Sequence, residues 1–172
     1  MITLLLLRHA KSDWDHPKLD DHDRPLNKRG LRNAPLMGKF VLETSLIPQA
    51  CLTSTAARAR HTAFLAVQAM NTDVKIKDVV DLYDFGNGKA IERAITAHGG
   101  SNSPLLVVAH NPCIQEFALS ICDNGEETAL ALLESKYPTC ALAQIEFDLA
   151  LWSALPGAKG ELIAFTTPKM LA

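Results

Sequence analysis

Apolar and polar positions along this chain fall into blocks that predict strands followed by helices. Residues 2–7 and 104–109 are short, continuously apolar runs, which is typical of strands buried on both faces of a sheet. Residues 50–53 predict a further short strand. Apolar residues recur with helical spacing at residues 28–43 and 56–70, so the first part of the chain alternates between strands and helices.

The remaining blocks continue this alternation. They predict a strand at 74–82, helices at 89–98 and 112–122, and two strands at 139–149 and 161–166 that pair as an antiparallel hairpin. Residues 129–133 fit either a short helix or extended chain. The order β-α-β-α-β-α-β-α-β-β predicts an α/β three-layer sandwich, with a mostly parallel central sheet, helices on both faces and an antiparallel edge.

Capping and turn residues predict where these elements begin and end. The expected helix caps are Asn27, Ser54 or Thr55, and Asn111, the last with Pro112 as the first helical residue. Pro35 lies inside the first helical pattern, where it removes a backbone donor and predicts a kink. Asn124-Gly125 predicts a turn.

The composition excludes several classes of function. With 172 residues, 48% apolar and 21% charged, the chain is predicted to form one domain over residues 1–172. A net charge of −2 provides no general basic field for nucleic acid or a membrane surface, so any anion site must be local.

Neither a secretory signal nor an apolar run of about 18 residues is present, so a cytoplasmic protein is expected. The cysteines lack metal or disulfide spacing and are predicted to be buried, reduced thiols at Cys51, Cys113, Cys122 and Cys140.

Basic and imidazole side chains follow three predicted strands. Arg8 and His9 end the first strand, Arg58 lies in the first turn of the second helix, and His110 ends the central strand. The carboxyl ends of parallel strands meet at one edge of the sheet, where α/β proteins bind ligands. Arginines, imidazoles and helix N-termini favour an anion, so the sequence predicts a pocket for a small dianion such as a phosphoryl group.

A polar loop at residues 11–24 follows the first strand and contributes further candidates. Its five aspartates are Asp13, Asp15, Asp20, Asp21 and Asp23. Their spacing matches no defined Mg²⁺ loop, so we interpret them as a solvated acidic loop rather than as metal ligands. Arg24 and Lys11 could add positive charge at the mouth of the pocket, whereas Arg60 and His61 are predicted to face other directions.

Three motifs resemble the signatures of the histidine phosphatase (phosphoglycerate mutase-like) superfamily. They are Leu-Arg-His-Ala-Lys-Ser at 7–12, Ser-Thr-Ala-Ala-Arg-Ala-Arg-His-Thr-Ala at 54–63 and Val-Ala-His-Asn at 108–111. The run 21–30, together with Tyr-Pro-Thr at 137–139 and Pro-Lys at 168–169, is similar to the short SixA-type phosphohistidine phosphatase branch. Two positions depart from the family: Ala10 replaces a usual glycine, and Asp15 stands where many members carry asparagine.

This resemblance implies roles for the residues at the rim. His9 would be the nucleophile and would be phosphorylated transiently, without a metal or cofactor. Arg8, Arg58 and His110 would hold the phosphoryl oxygens. Apart from the resemblance, the positive charge of Arg24 makes it a further candidate for substrate binding. General chemistry agrees, because a neutral imidazole is a good nucleophile near pH 7 and covalent catalysis divides one difficult displacement into two easier ones.

A general acid is harder to identify. Asp81 and Asp84 are the candidates, but an aspartate before Phe85-Gly86 is more readily explained as a turn residue. An alkoxide leaving group needs a proton from an acid, whereas the leaving nitrogen of phosphohistidine can be protonated by solvent. The expected substrate is therefore a histidine-phosphorylated protein.

Other functions remain open at this point. The alternatives are a phosphatase of small phosphorylated molecules with the same fold, or a non-catalytic phosphate-binding module. Nucleotide binding is disfavoured because no glycine-rich phosphate loop follows any strand. The sequence leaves the oligomeric state undetermined.

Overall fold

One seven-stranded sheet organises the protein in the computed structural model, which describes residues 1–172. In chain order the strands are β1 (Ile2–Arg8), β2 (Ala50–Thr53), β3 (Ile76–Asp78), β4 (Leu105–Ala109), β5 (Cys122–Gly125), β6 (Leu142–Phe147) and β7 (Gly160–Thr166). Their order across the sheet is β3-β2-β4-β1-β6-β7-β5. All neighbours pair in parallel except β6, which runs antiparallel to both β1 and β7.

Helices cover both faces of this sheet. They are α1 (Lys28–Glu43), α2 (Ala57–Ala69), α3 (Lys89–His98), α4 (Cys113–Ile121), α5 (Glu127–Ser135) and the short α6 (Pro168–Leu171). Side chains of β1 alternate between two apolar cores: Leu4 and Leu6 pack with α3, α4 and α5, and Leu5 and Leu7 pack with α1 and α2. The predicted three-layer α/β fold is therefore confirmed. None of the helices combines the length and apolar character needed to cross a membrane.

The antiparallel part of the sheet differs in detail from the expectation. β6 and β7 pair antiparallel as predicted, but β6 lies inside the sheet, and β5 forms the edge beyond β7. The sequence predicted only a turn at Asn124-Gly125, which belongs to β5. This strand is short and polar, so it carries no apolar pattern that could have identified it.

Several element boundaries were predicted correctly and others were wrong. Asn27 caps α1, since its side chain accepts a hydrogen bond from the Gly30 N–H at 2.9 Å, and α1 continues through Pro35. The strand predicted at 74–82 is only β3, followed by a 3₁₀ turn at Val80–Leu82. The other two caps are wrong, because the residues before α2 and α4 are Ala56 and Pro112, and neither makes a side-chain cap.

The sheet brings the ends of its central strands together. Arg8 pairs with Ala109, so His9 and His110 follow neighbouring parallel strands at the same edge. The antiparallel β6 begins at this edge, and the Cys140 N–H just before it donates to the carbonyl oxygens of both Arg8 and His9, at 3.0 and 3.1 Å. The backbone that carries Arg8 and His9 is thus fixed from both sides.

Candidate active site

His9 is held in one tautomer by the backbone. Its side chain is buried, and Nδ1 lies 2.7 Å from the carbonyl oxygen of Ala10. A carbonyl can only accept, so Nδ1 carries the proton and Nε2 carries the lone pair. The Ala10 N–H donates in turn to Thr62 Oγ1 at 2.9 Å, which holds Ala10 in place beside the ring.

The surroundings of His9 keep its imidazole neutral. Burial lowers the pKa of His9 most, and the positive charges of Arg58, Arg8 and Arg24 lower it further. The hydrogen bond to Ala10 opposes these effects, and the resulting pKa is about 3. At neutral pH, Nε2 is therefore unprotonated, and its electron pair accepts a hydrogen bond from Arg58 Nε.

Arg58 presents its guanidinium to this nitrogen. Only 2% of the residue is exposed, and its Nε lies 3.4 Å from His9 Nε2. The other two nitrogens donate to Asp21, Nη1 to the backbone oxygen at 2.7 Å and Nη2 to Oδ2 at 3.0 Å. The charged group is thus fixed beside the nitrogen with the lone pair.

Arg8 and His110 each leave a buried polar atom without a partner. Arg8 Nη1 donates to the Tyr137 carbonyl oxygen at 2.7 Å, but its Nε is buried and unpaired. His110 is fully buried, with Nε2 at 2.7 Å from Ser54 Oγ and Nδ1 unpaired. Unpaired buried polar groups are rare in native structures, and a ligand is one explanation for them.

Burial and neighbouring positive charge lower the pKa values of both Arg8 and His110. Burial, followed by the charge of Arg58, lowers the pKa of the Arg8 guanidinium. Burial also lowers the pKa of His110 to about 2, with smaller contributions from His9 and Arg58. The two imidazoles face each other with ring centroids 5.1 Å apart, and both are neutral at pH 7.

Asp21 connects two of the arginines and was not identified as a site residue from the sequence. Its Oδ1 accepts from Arg24 Nε at 3.1 Å, while Oδ2 accepts from Arg58 and from the Tyr83 hydroxyl, at 3.0 and 2.7 Å. Burial alone would raise the pKa of Asp21, but the hydrogen bonds from Tyr83 and Arg58 outweigh it and lower the pKa to about 2. Asp21 is therefore ionised throughout the physiological range.

Arg24 is linked to the site by its hydrogen bond to the Asp21 carboxylate. It is buried, its Nη1 donates to Ser12 Oγ at 2.8 Å, and its guanidinium lies over the ring of Trp14. The three-residue separation of Asp21 and Arg24 was the only signal in the sequence for this contact, and such a pair is more often a surface ion pair.

The other sequence candidates lie apart from this cluster. Arg60 forms an exposed ion pair with Asp78, at 3.2 Å. Asp15 is exposed, and neither it nor Lys11 contacts the cluster through its side chain. The Asp84 carboxylate accepts from the Gly86 N–H at 3.0 Å, as expected for a turn residue. No group of three or more His, Cys, Asp or Glu side chains is arranged to hold a metal ion.

The two buried imidazoles predict a loss of stability in mild acid. The unfolded state binds a proton near pH 6.5, whereas the folded pKa values are about 3 for His9 and about 2 for His110, so falling pH favours the unfolded state. Each histidine is expected to remove about 2 kcal/mol of unfolding free energy between pH 7 and pH 5. The unfolding free energy, measured with urea at pH 7 and at pH 5, should therefore fall less for His110→Gln than for the wild type. The exposed His61→Gln is the control, and equal losses in all three proteins would contradict the assignment.

Comparison with known proteins identifies the class. The family model of the histidine phosphatase superfamily (branch 1) matches residues 4–88. An uncharacterised protein of Mycobacterium tuberculosis is 32% identical over 165 residues, covering 95% of this chain and 100% of that protein. The chain belongs to the histidine phosphatase superfamily.

Within this superfamily the chain has the fold of SixA. It matches SixA from Agrobacterium tumefaciens with a TM-score of 0.79 and 27% identity, over 97% of this chain and 98% of that chain. The protein histidine phosphatase SixA in complex with tungstate matches with a TM-score of 0.79 over 99% and 100% of the two chains, and at 20% identity this is a likeness of fold. The resemblance read from the sequence is confirmed.

Proposed function

We propose that the protein is a phosphohistidine phosphatase that removes the phosphoryl group from a histidine-phosphorylated protein through an intermediate on His9. The observation that carries this proposal is the fixed, neutral tautomer of His9, whose unprotonated Nε2 lies beside the Arg58 guanidinium. Membership of the superfamily supports the phosphatase activity, and the match to SixA supports the phosphohistidine substrate.

In the first step, His9 Nε2 attacks the phosphorus atom and the bond to the substrate imidazole breaks. Arg8 Nε and the Arg58 guanidinium donate to the phosphoryl oxygens as charge spreads over them. Ser54 Oγ accepts from the Ala56 N–H at 3.2 Å, and its own proton can bond His110 Nε2. His110 Nδ1–H would then donate to a phosphoryl oxygen, which would satisfy the unpaired atom.

In the second step, a water molecule attacks the phosphorus of the phosphorylated His9. The P–N bond breaks, inorganic phosphate leaves and His9 returns to its neutral form. The same donors stabilise both displacements because the phosphoryl oxygens occupy equivalent positions in each. The protein cations supply the charge stabilisation in this mechanism, which is proposed to need no metal ion or cofactor.

The carboxylates near the site favour phosphohistidine over an alkyl phosphate. A general acid must be protonated at neutral pH, but Asp21 has a pKa of about 2 and is ionised. Asp84 holds the Gly86 N–H in a turn, and Asp81 is exposed in the 3₁₀ turn. With Asp21 ionised and Asp84 held in a turn, an alkoxide would lack an acid and be a poor leaving group, whereas an imidazole nitrogen takes its proton from solvent.

A leaving-group series tests this substrate class. We expect kcat/KM for a phosphohistidine peptide to exceed that for a phosphoserine peptide of the same sequence by at least about 100-fold, the usual contribution of general acid catalysis. Asp84→Asn should leave both values unchanged. Efficient phosphoserine turnover that is lost in Asp84→Asn would identify an acid and favour a phosphatase of small phosphomonoesters instead.

The compartment, domain organisation and partner that we propose are those expected from the sequence. We propose that the protein works in the cytoplasm as a single domain over residues 1–172, on a phosphorylated protein rather than on nucleic acid or a membrane. All four cysteines are free thiols, which is compatible with a reducing compartment.

A further inference from the structure

A groove of about 910 Å³ opens between α1, the segment that follows α5, the end of β7 and α6. We infer that it binds an acidic segment of the phosphorylated substrate protein, next to the residue whose phosphoryl group enters the catalytic site. This inference rests on the proposed function and deepens it, because it specifies what surrounds the phosphohistidine in the substrate.

The charged side chains that line the groove are all of one sign. None of its 14 lining residues is an aspartate or glutamate, and four are cations: Arg29, Arg32, Lys136 and Lys169. None of the four forms an ion pair, so no carboxylate of the protein neutralises the charge of these side chains. In a chain of net charge −2, a group of unpaired cations at one groove favours an anionic occupant.

The start of α1 concentrates this positive charge. Arg29 and Arg32 are three residues apart and share one helix face, where like charges disfavour the helix. The first turn also lacks an acidic residue to complement the positive end of the helix dipole. The repulsion between Arg29 and Arg32 and the positive end of the helix dipole are both unfavourable for α1. Carboxylates bound in the groove would offset both.

The groove is joined to the catalytic site by the backbone. Lys136, Pro138 and Thr139 line it, and the Tyr137 carbonyl oxygen between them accepts from Arg8 Nη1 at 2.7 Å. On the α1 side, a side chain at Gly30 would collide with the carbonyl oxygen of Lys11, so the start of α1 lies against the loop that leaves His9. The groove and the catalytic site therefore adjoin the same two segments of backbone.

The groove wall also has an apolar part, formed by Leu132, Phe165 and Met170. A segment that combines glutamate or aspartate with leucine-like residues would match both the cations and this surface. Asp21 lies on the α2 side of the site, where its carboxylate pairs with Arg58. The cations of the groove have no such partner, so an acidic segment of the substrate is attracted to the groove.

Two phosphohistidine peptides provide the test. One carries glutamate and leucine on both sides of the phosphohistidine, and the other carries glutamine in place of every glutamate. At low salt we expect kcat/KM to be about tenfold higher for the acidic peptide, as two or three partly exposed ion pairs would give. The advantage should disappear in about 0.5 M salt, where exposed charges are screened.

Charge-removing variants locate the effect. Arg29→Gln combined with Arg32→Gln should abolish the preference for the acidic peptide and leave turnover of the neutral peptide within about twofold. Lys39→Gln combined with Arg93→Gln removes the same charge from exposed positions outside the groove and should retain the preference. Equal turnover of both peptides by the wild type, or a preference that survives in the groove variant, would overturn the inference. Failure to hydrolyse either peptide would instead refute the proposed function.

Discussion

Replacing His9 with alanine is expected to reduce turnover of a phosphohistidine peptide by at least about 10⁴-fold, since removal of a covalent nucleophile has effects of this size or larger. The lone pair of Nε2 cannot be replaced by a neighbour, because His110 is already bonded to Ser54 and the other groups near His9 are cations. Steady-state hydrolysis, measured as released phosphate, checks this result.

Anion binding should survive the same substitution. Arg8, Arg58 and His110 remain in place, so binding of tungstate, measured by calorimetry, is expected to stay within about tenfold of the wild type. His61→Ala removes an exposed imidazole of α2 and should retain full turnover. If the His9→Ala protein bound tungstate and still hydrolysed the peptide, the nucleophile would be another group. If the wild type and His9→Ala both bound tungstate and neither hydrolysed the peptide, the chain would be a phosphate-binding module.

Replacing Arg58 with alanine is expected to lower kcat by about 10³-fold or more, as removal of an arginine that stabilises a phosphoryl transition state does. Arg58 Nε is 3.4 Å from the attacking nitrogen, so its charge lies where the phosphoryl oxygens develop theirs. The loss should appear mainly in kcat rather than in KM, because Arg8 remains to bind the ground state.

The control for this variant lies two residues along the same helix. Arg60→Ala removes an exposed arginine paired with Asp78 and should leave kcat unchanged. Arg58→Ala also removes one of the three partners of the Asp21 carboxylate, so the unfolding free energy of the variant is measured alongside, to separate catalysis from stability. Arg58→Lys keeps the charge but loses the fork geometry, and an intermediate kcat is expected. If Arg58→Ala is fully folded and its kcat equals that of the wild type, Arg58 does not stabilise the transition state.

The central strands and the residues that follow them could be predicted from the sequence because each depends on local pattern. The apolar runs before Arg8-His9 and before His110 each predict a strand buried on both faces, and parallel strands must share one edge. Asn27 was found for the same reason, since a cap contacts only the next turn of its own helix.

The parts that could not be predicted depend on contacts distant in sequence. Asp21 meets Tyr83 and Arg58, 62 and 37 residues away, so its carboxylate looked like one of five solvated aspartates. β5 is polar and joins the sheet only because β7 provides a free edge for it. The tautomer of His9 depends on the position of one carbonyl group, which no residue pattern encodes.

Rapid quenching can detect the transient phosphorylation of His9 on which the proposed mechanism depends. The enzyme is mixed with a phosphohistidine peptide, quenched in alkali within milliseconds and mapped by mass spectrometry. One phosphoryl group is expected on His9, at Nε2, because Nδ1 is held by the Ala10 carbonyl oxygen. No phosphorylated enzyme is expected for His9→Ala. A phosphoryl group on another residue, formed equally in His9→Ala, would show that His9 is not the nucleophile.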